Sequence, residues 1–184
     1  MRVITGSARG RNLAAPEGLN TRPTSDMTKG AVFSILQMMI ENSDFLDLFA
    51  GSGQMGVEAL SRGAKSATFI DSDAKAIAAV KANLKACGFM EKSRVAMMDS
   101  LTYIKNCTAK FDVIFLDPPY NKELIAAVLP YCANCLKDEG IILCETEKNE
   151  NLPEDVAGLE LVKEYRYGKA KVTSFRKNGE EVCE

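Results

Sequence analysis

The sequence predicts an α/β protein built on one mostly parallel sheet of seven strands. Helices cover both faces, an antiparallel hairpin closes the C-terminal end, and a small β-hairpin extends the N-terminal end. Three observations predict this. Short apolar runs alternate with segments of helical periodicity through residues 45–145, the pattern of strands joined by crossover helices. A glycine-rich stretch, Gly51-Ser52-Gly53-Gln54-Met55-Gly56, follows the first apolar run and opens a helix. The last two runs flank Gly168 with too few residues between them for a crossover, so they pair antiparallel.

The elements follow in order. Val3-Ile4 and Asn12-Leu13-Ala14 flank a turn at Gly6-Ser7-Ala8-Arg9-Gly10 and form the N-terminal hairpin. An arginine-bearing loop with Pro16, Gly18 and Pro23 follows. Thr24, Ser25 and Asp26 are N-cap residues for a helix to residue 40, with Val32, Ile35, Leu36 and Met39 at helical spacing. Strands are expected over residues 45–49, 66–70, 94–98, 113–116 and 141–145. The helices between them span 54–61, 73–87, 101–105 and 122–136. Ile77, Val80, Leu84 and Cys87 face inward from one, and Leu124, Val128, Leu129 and Cys132 from another. Residues 159–167 and 171–176 are the final hairpin. The chain thus divides into an extension, 1–25, and a main domain, 26–184.

Composition excludes several functions. No apolar run approaches the roughly 20 residues of a membrane span, and the first residues lack the apolar stretch of a signal peptide. The reading is a cytoplasmic protein with no membrane partner. There is no histidine among the 184 residues, so Ser-His-Asp and Cys-His hydrolysis and histidine-ligated metals are out. Cys132 and Cys135 form a CxxC. It lies in a helical pattern with no second pair, so these cysteines are read as free thiols and no metal is expected.

Charge is uneven. The first thirty residues hold Arg2, Arg9, Arg11, Arg22 and Lys29 against Glu17 and Asp26. Residues 163–177 hold Lys163, Arg166, Lys169, Lys171, Arg176 and Lys177 against Glu164. Two basic ends around an acidic centre suit an anionic partner, although solvated surface charge gives the same pattern.

In open α/β sheets ligands bind beyond the carboxyl ends of the strands. The first end carries the glycine loop, which lets backbone approach a ligand and presents free N–H groups of the next helix. By itself it suits a nicotinamide enzyme and a methyltransferase equally. Asp71 ends the second strand, where a carboxylate accepts from both ribose hydroxyls of an adenosine. Asp99 ends the third and can accept from an adenine amine, or cap the helix that follows, or both.

Asp117-Pro118-Pro119-Tyr120 closes the fourth strand. The prolines donate no backbone N–H and stiffen the turn, which leaves the carbonyls of Asp117 and Pro118 free. With the Asp117 carboxylate, these can accept both hydrogens of an NH2 group and aim its lone pair. Tyr120 offers a flat face on which an extruded base can stack. Orientation supplies several kcal/mol of barrier reduction, and a preorganised acceptor roughly 3 more.

The glycine loop together with this motif resembles the class I amino-methyltransferases acting on nucleic acids, whose domain is Rossmann-like. More narrowly, the chain resembles the bacterial RsmD-type small-subunit ribosomal RNA guanine-N2 methyltransferases. The likeness covers RVITGSARGRN, NTRPTSD, DLFAGSGQMGVEALSRG, Asp71, Asp99, Asp117 to Tyr120 and the Tyr167-Gly168 region. It implies S-adenosylmethionine as cofactor, with S-adenosylhomocysteine as product. The implied cofactor contacts are Asp47, Gly51, Ser52, Gly53, Asp71, Ser72, Asp99 and Ser100. The implied catalytic residues are Asp117, Pro118 and Tyr120. Arg2, Arg9, Arg11 and Arg22 are the implied RNA contacts of the extension. The implied substrate is the N2 amine of a 16S ribosomal RNA guanine, guanine 966, within the assembling 30S particle, and the implied enzyme is a monomer. Two departures stand out: Met27 stands where an arginine is expected, and Gln54 is larger than the small residue expected there.

Adenine-N6 methylation remains the alternative, because the motif serves that amine too. The alternative covers DNA or RNA as substrate; DNA enzymes of that kind usually carry a target-reading insertion of substantial size, and here the core leaves only the short N-terminal piece. A nicotinamide oxidoreductase accounts for the glycine loop and Asp71 but not for Asp117-Pro118-Pro119-Tyr120. A non-catalytic RNA-binding module accounts only for the basic ends.

Overall fold

The computed structural model describes residues 1–16, 26–119 and 122–179. The elements are α1 (Asp26–Ile35), β1 (Asp44–Asp47), α2 (Gln54–Ser61), β2 (Ser66–Asp71) and α3 (Ala74–Cys87). A 3-10 turn (Met90–Lys92) precedes β3 (Ser93–Met97), α4 (Ser100–Asn106), β4 (Phe111–Leu116) and α5 (Lys122–Cys135). The chain continues through β5 (Leu136–Glu147), β6 (Asp155–Val156), β7 (Leu159–Tyr167) and β8 (Ala170–Lys177). The strands form one sheet in the order β3-β2-β1-β4-β5-β8-β7-β6. Pairing is parallel from β3 to β5 and antiparallel from β5 to β6.

The sheet has eight strands rather than seven. The extra strand, β6, is two residues long and carries no alternation for a sequence reading to detect. Other boundaries also move. α1 ends at Ile35 rather than at residue 40, and residues 36–39 continue as turn, although Leu36 and Ile40 are still buried. β5 begins at Leu136, five residues early, because Leu136 pairs with Phe111 before a register shift. The expected N-terminal hairpin is reduced to one antiparallel bridge, Arg2 with Asn12. It is supported by hydrogen bonds from Val3 N to Arg11 O and from Leu13 N to Met1 O. Thr24 and Ser25 lie outside the described residues; Asp26 is the first residue of α1.

Alternation along the strands divides the core in two. Phe45, Phe69, Val113, Phe115 and Leu143 face one layer with Val32, Phe33 and Val80 from α1 and α3. Leu46, Ile70, Ile114, Leu116 and Ile142 face the other with Ile104, Val128 and Leu129 from α4 and α5. Cys132 and Cys135 are buried in that second layer as free thiols. Burial raises both thiols, Cys135 to about 12, so they stay protonated and unreactive. Among the described residues no group of three or more His, Cys, Asp or Glu is placed to hold a metal ion. No described helix is long and apolar enough to cross a membrane.

Connectivity reverses between β1 and β4. From β1 the chain moves outward to β2 and β3, then returns to β4 on the other side. That reversal opens a crevice at the carboxyl ends of β1 and β4, the point at which such sheets bind ligands.

Candidate active site

A cavity of about 770 Å³ fills this crevice. It is lined by Asp47, Gly51, Ser52, Asp71, Ser72, Asp99, Ser100, Asp117 and Pro118, which four separate strand ends bring together. Its volume falls within the range of small-molecule and cofactor sites.

Asp47 ends β1 and is buried, with Oδ2 accepting from Gly56 N at 3.2 Å. Burial is the main reason its carboxyl is pushed up to about 7; Asp117 and Asp71 repel it further, and the Gly56 hydrogen bond partly offsets both. Three carboxylates thus converge on the crevice, a field that favours a cationic ligand.

The loop after β1 turns on Gly51 and Gly53, both in the left-handed region at φ 52° and 75°. Gly51 faces the cavity. Gly53 is not among the residues that line it, and a Cβ there would meet Val80 and Phe69 at 3.1 and 3.3 Å, so close packing behind the loop requires the glycine. Gly56 is required by close approach, since a Cβ would fall 2.2 Å from the Phe69 ring. The loop is held from behind by Asn83 on α3, which is buried. Its Nδ2 donates to Ser52 O at 2.8 Å and to Ala14 O at 3.0 Å, and its Oδ1 accepts from Ala14 N at 2.8 Å.

Asp71 accepts from Gly51 N at 2.8 Å through Oδ2 and from Asp73 N at 2.9 Å through Oδ1. Each oxygen keeps a second lone pair for a ribose hydroxyl. Asp99 caps α4, with Oδ1 accepting from Thr102 N and Oγ1, both at 2.8 Å. These hydrogen bonds lower its pKa, so it is ionised. Ser100 spends its hydroxyl proton on Leu48 O at 2.7 Å, so toward a ligand it can only accept. Ser52 Oγ donates to Met1 Sδ.

Asp117, Pro118 and Pro119 line the cavity immediately after β4. Tyr120 and Arg22 lie outside the described residues. Arg2, Arg9 and Arg11 are exposed and stand outside the cavity wall; Arg2 pairs with Asp26 at 3.6 Å. Two residues of the basic ends are not available to a partner. Lys29 is fully buried, donating to Arg2 O at 2.6 Å beside Glu58, and Lys171 is buried against Glu164. Their long stems cross the core, which a count of charges along the sequence cannot detect.

Other parts of the cavity wall were not legible in the sequence. Met1, Ala15 and Pro16 from the extension close one side, with Met27 and Thr28 of α1. Glu145, Thr146, Glu147 and Glu150 form another, with the β7–β8 turn. Asn83 carried a signal: it is the polar residue beside Val80 and Leu84 on an inward helix face.

Comparison with known proteins follows the same lines. The sequence profile of the family conserved hypothetical protein 95 matches residues 1–176. The chain is 40% identical over 158 residues to ribosomal RNA small subunit methyltransferase D of Haemophilus influenzae, covering 83% of this chain and 81% of that protein. The solved structure of the Escherichia coli protein yhhF superposes with a TM-score of 0.86 at 31% identity, over 96% of this chain and 97% of that one. SMU.776, a methyltransferase complexed with SAH, shares the fold at 18% identity with a TM-score of 0.64, over 79% of this chain and 48% of that one.

Proposed function

The chain belongs to the family of conserved hypothetical protein 95, the RsmD-type class I methyltransferases, and from this premise we propose that its target is the exocyclic N2 amine of a guanine in small-subunit ribosomal RNA, guanine 966. The enzyme is an S-adenosylmethionine-dependent ribosomal RNA methyltransferase. The observation that supports an exocyclic amine as the target is Asp117-Pro118-Pro119 at the end of β4, in one cavity with Asp47, Gly51 and Asp71, and guanine N2 over adenine N6 rests on the likeness to the RsmD-type enzymes.

The residues fit the cofactor. Bound S-adenosylmethionine supplies an electrophilic methyl group on a sulfonium and carries a second positive charge on its amino group. Asp47, whose repulsion by Asp117 and Asp71 a cation relieves, suits the ammonium. Asp71 keeps lone pairs for the ribose hydroxyls, and Asp99 Oδ2 suits the adenine amine. Ser52, Ser72 and Ser100 border these positions.

On the substrate side, the Asp117 carboxylate and the Asp117 and Pro118 carbonyls accept the two hydrogens of the target amine and aim its lone pair. As the amine nitrogen takes the methyl, whose bond to the sulfonium sulfur breaks with the electron pair left on sulfur, it would shed one proton, for which the Asp117 carboxylate would be the acceptor. Tyr120 is the proposed stacking face. Residues 1–25 are the proposed RNA-binding extension, with Arg2, Arg9, Arg11 and Arg22 on phosphates, and the assembling 30S particle is the proposed setting for a cytoplasmic monomer.

Transfer of labelled methyl from S-adenosylmethionine to unmodified 16S ribosomal RNA, free and in particles, tests this. Label recovered as N2-methylguanine, and lost in Asp117→Ala, is the expected result. Label recovered as N6-methyladenine instead would replace the guanine reading with its alternative.

A further inference from the structure

The Asp117 turn grips an amine and is blind to which purine carries it. We propose that Glu150 supplies the missing discrimination by accepting the N1–H of the target guanine, an inference that rests on the guanine-N2 reading above. β4 ends at Leu116, paired in parallel with Cys144, and β5 runs on beside that end to Glu147 before its chain turns. Asp117 and Glu150 consequently line the same cavity. Glu150 is held by a tight turn, its N–H donating to Glu147 O at 3.0 Å. It is 8% exposed, and its Oε1 is closed to solvent and receives no hydrogen bond.

A buried carboxylate oxygen without a donor is costly, and this one belongs to a wall that also carries Glu145 and Glu147. The torsion that orients a glutamate carboxylate is broad, so its plane can turn to meet a donor offered from the cavity. Guanine offers one. Beside the N2 amine its edge carries N1–H, whereas N1 of adenine carries a lone pair. A carboxylate at this position accepts from the first and repels the second. Sites built around such a hydrogen bond reject the analogue that lacks it far more strongly than apolar pockets reject a wrong shape.

The test uses two RNAs assembled by ligation, identical except at the methylated position, which holds guanine or 2-aminopurine. The analogue keeps the N2 amine but presents a lone pair at N1. Wild-type enzyme is expected to favour the guanine RNA in kcat/KM by at least about 100-fold. Glu150→Gln, whose amide can donate, is expected to narrow that ratio at least about tenfold by raising turnover of the analogue. The ratio is measured within one preparation, so partial misfolding does not move it, and S-adenosylhomocysteine affinity should be unchanged. An unaltered ratio in Glu150→Gln overturns the assignment. A wild-type enzyme that methylates neither RNA, with S-adenosylhomocysteine still bound, overturns the guanine-N2 reading beneath it.

Discussion

Asp47 gains its proton at a pH where most aspartates have long lost theirs, and this gives it a signature in stability. Its ordinary value of 3.8 applies in the unfolded chain, and burial raises it to about 7 in the fold. Between these values the folded protein binds the extra proton, so stability falls as pH rises from about 4 to about 7 and is flat for this group above that. The decline is bounded at about 4 kcal/mol. Denaturant unfolding of the cofactor-free protein at pH 5 and pH 8 should show it, and Asp47→Asn should remove most of it; a slope that survives Asp47→Asn would assign the effect elsewhere. Asp117→Ala acts differently. It should lower kcat by about 100-fold or more with S-adenosylhomocysteine affinity retained, and equal loss of both would merge the two roles. Asp117 was legible because it follows a short apolar run, whereas Asp47, inside the expected strand 45–49, was reached only through the family resemblance. Glu150 was not legible, since its place depends on a turn after β5 and on a neighbouring strand.

At the level of elements, Glu58 of α2 joins three parts of the chain. It accepts from Ile4 N at 2.8 Å and Thr5 N at 3.0 Å, pairs with Arg62 at 2.8 Å, and lies 3.8 Å from the buried Lys29 of α1. Burial lowers the Lys29 pKa and Glu58 opposes that shift, so removing Glu58 leaves a buried cation without its partner. Glu58→Ala should cost about 3–5 kcal/mol. Replacing both residues, as Lys29→Met with Glu58→Gln, should cost less than the single change, as a double-mutant cycle would record. The alternation of strands and helices was readable because burial on two faces writes itself as apolar runs. Lys29 was misread as surface charge because its carbon stem fits a helix face as an apolar chain does. β6 escaped because two residues make no pattern, and the early start of β5 because Leu136 belongs equally to a helix end.

Across the whole molecule, Arg2, Arg9 and Arg11 are exposed, while the cavity is lined by Asp47, Asp71, Asp99 and Asp117. If the arginines meet phosphates as proposed, substrate backbone and cofactor would be sorted by charge. Reversing Arg9 and Arg11 together to glutamate should weaken RNA binding and reduce the slope of log affinity against log salt by about 2, measured by titration at several salt concentrations. An unchanged slope would remove the extension from the RNA interface. The same extension contributes Met1, Ala15 and Pro16 to the cavity wall and is fastened to the glycine loop through Asn83.

That fastening bears on how the protein is handled at the bench. Anything fused ahead of Met1 emerges at the wall of the cavity, next to the thioether that accepts from Ser52. A purification tag left on that end would crowd the cavity wall that Met1 forms, so its removal, or its transfer to the opposite terminus, becomes part of a fair assay.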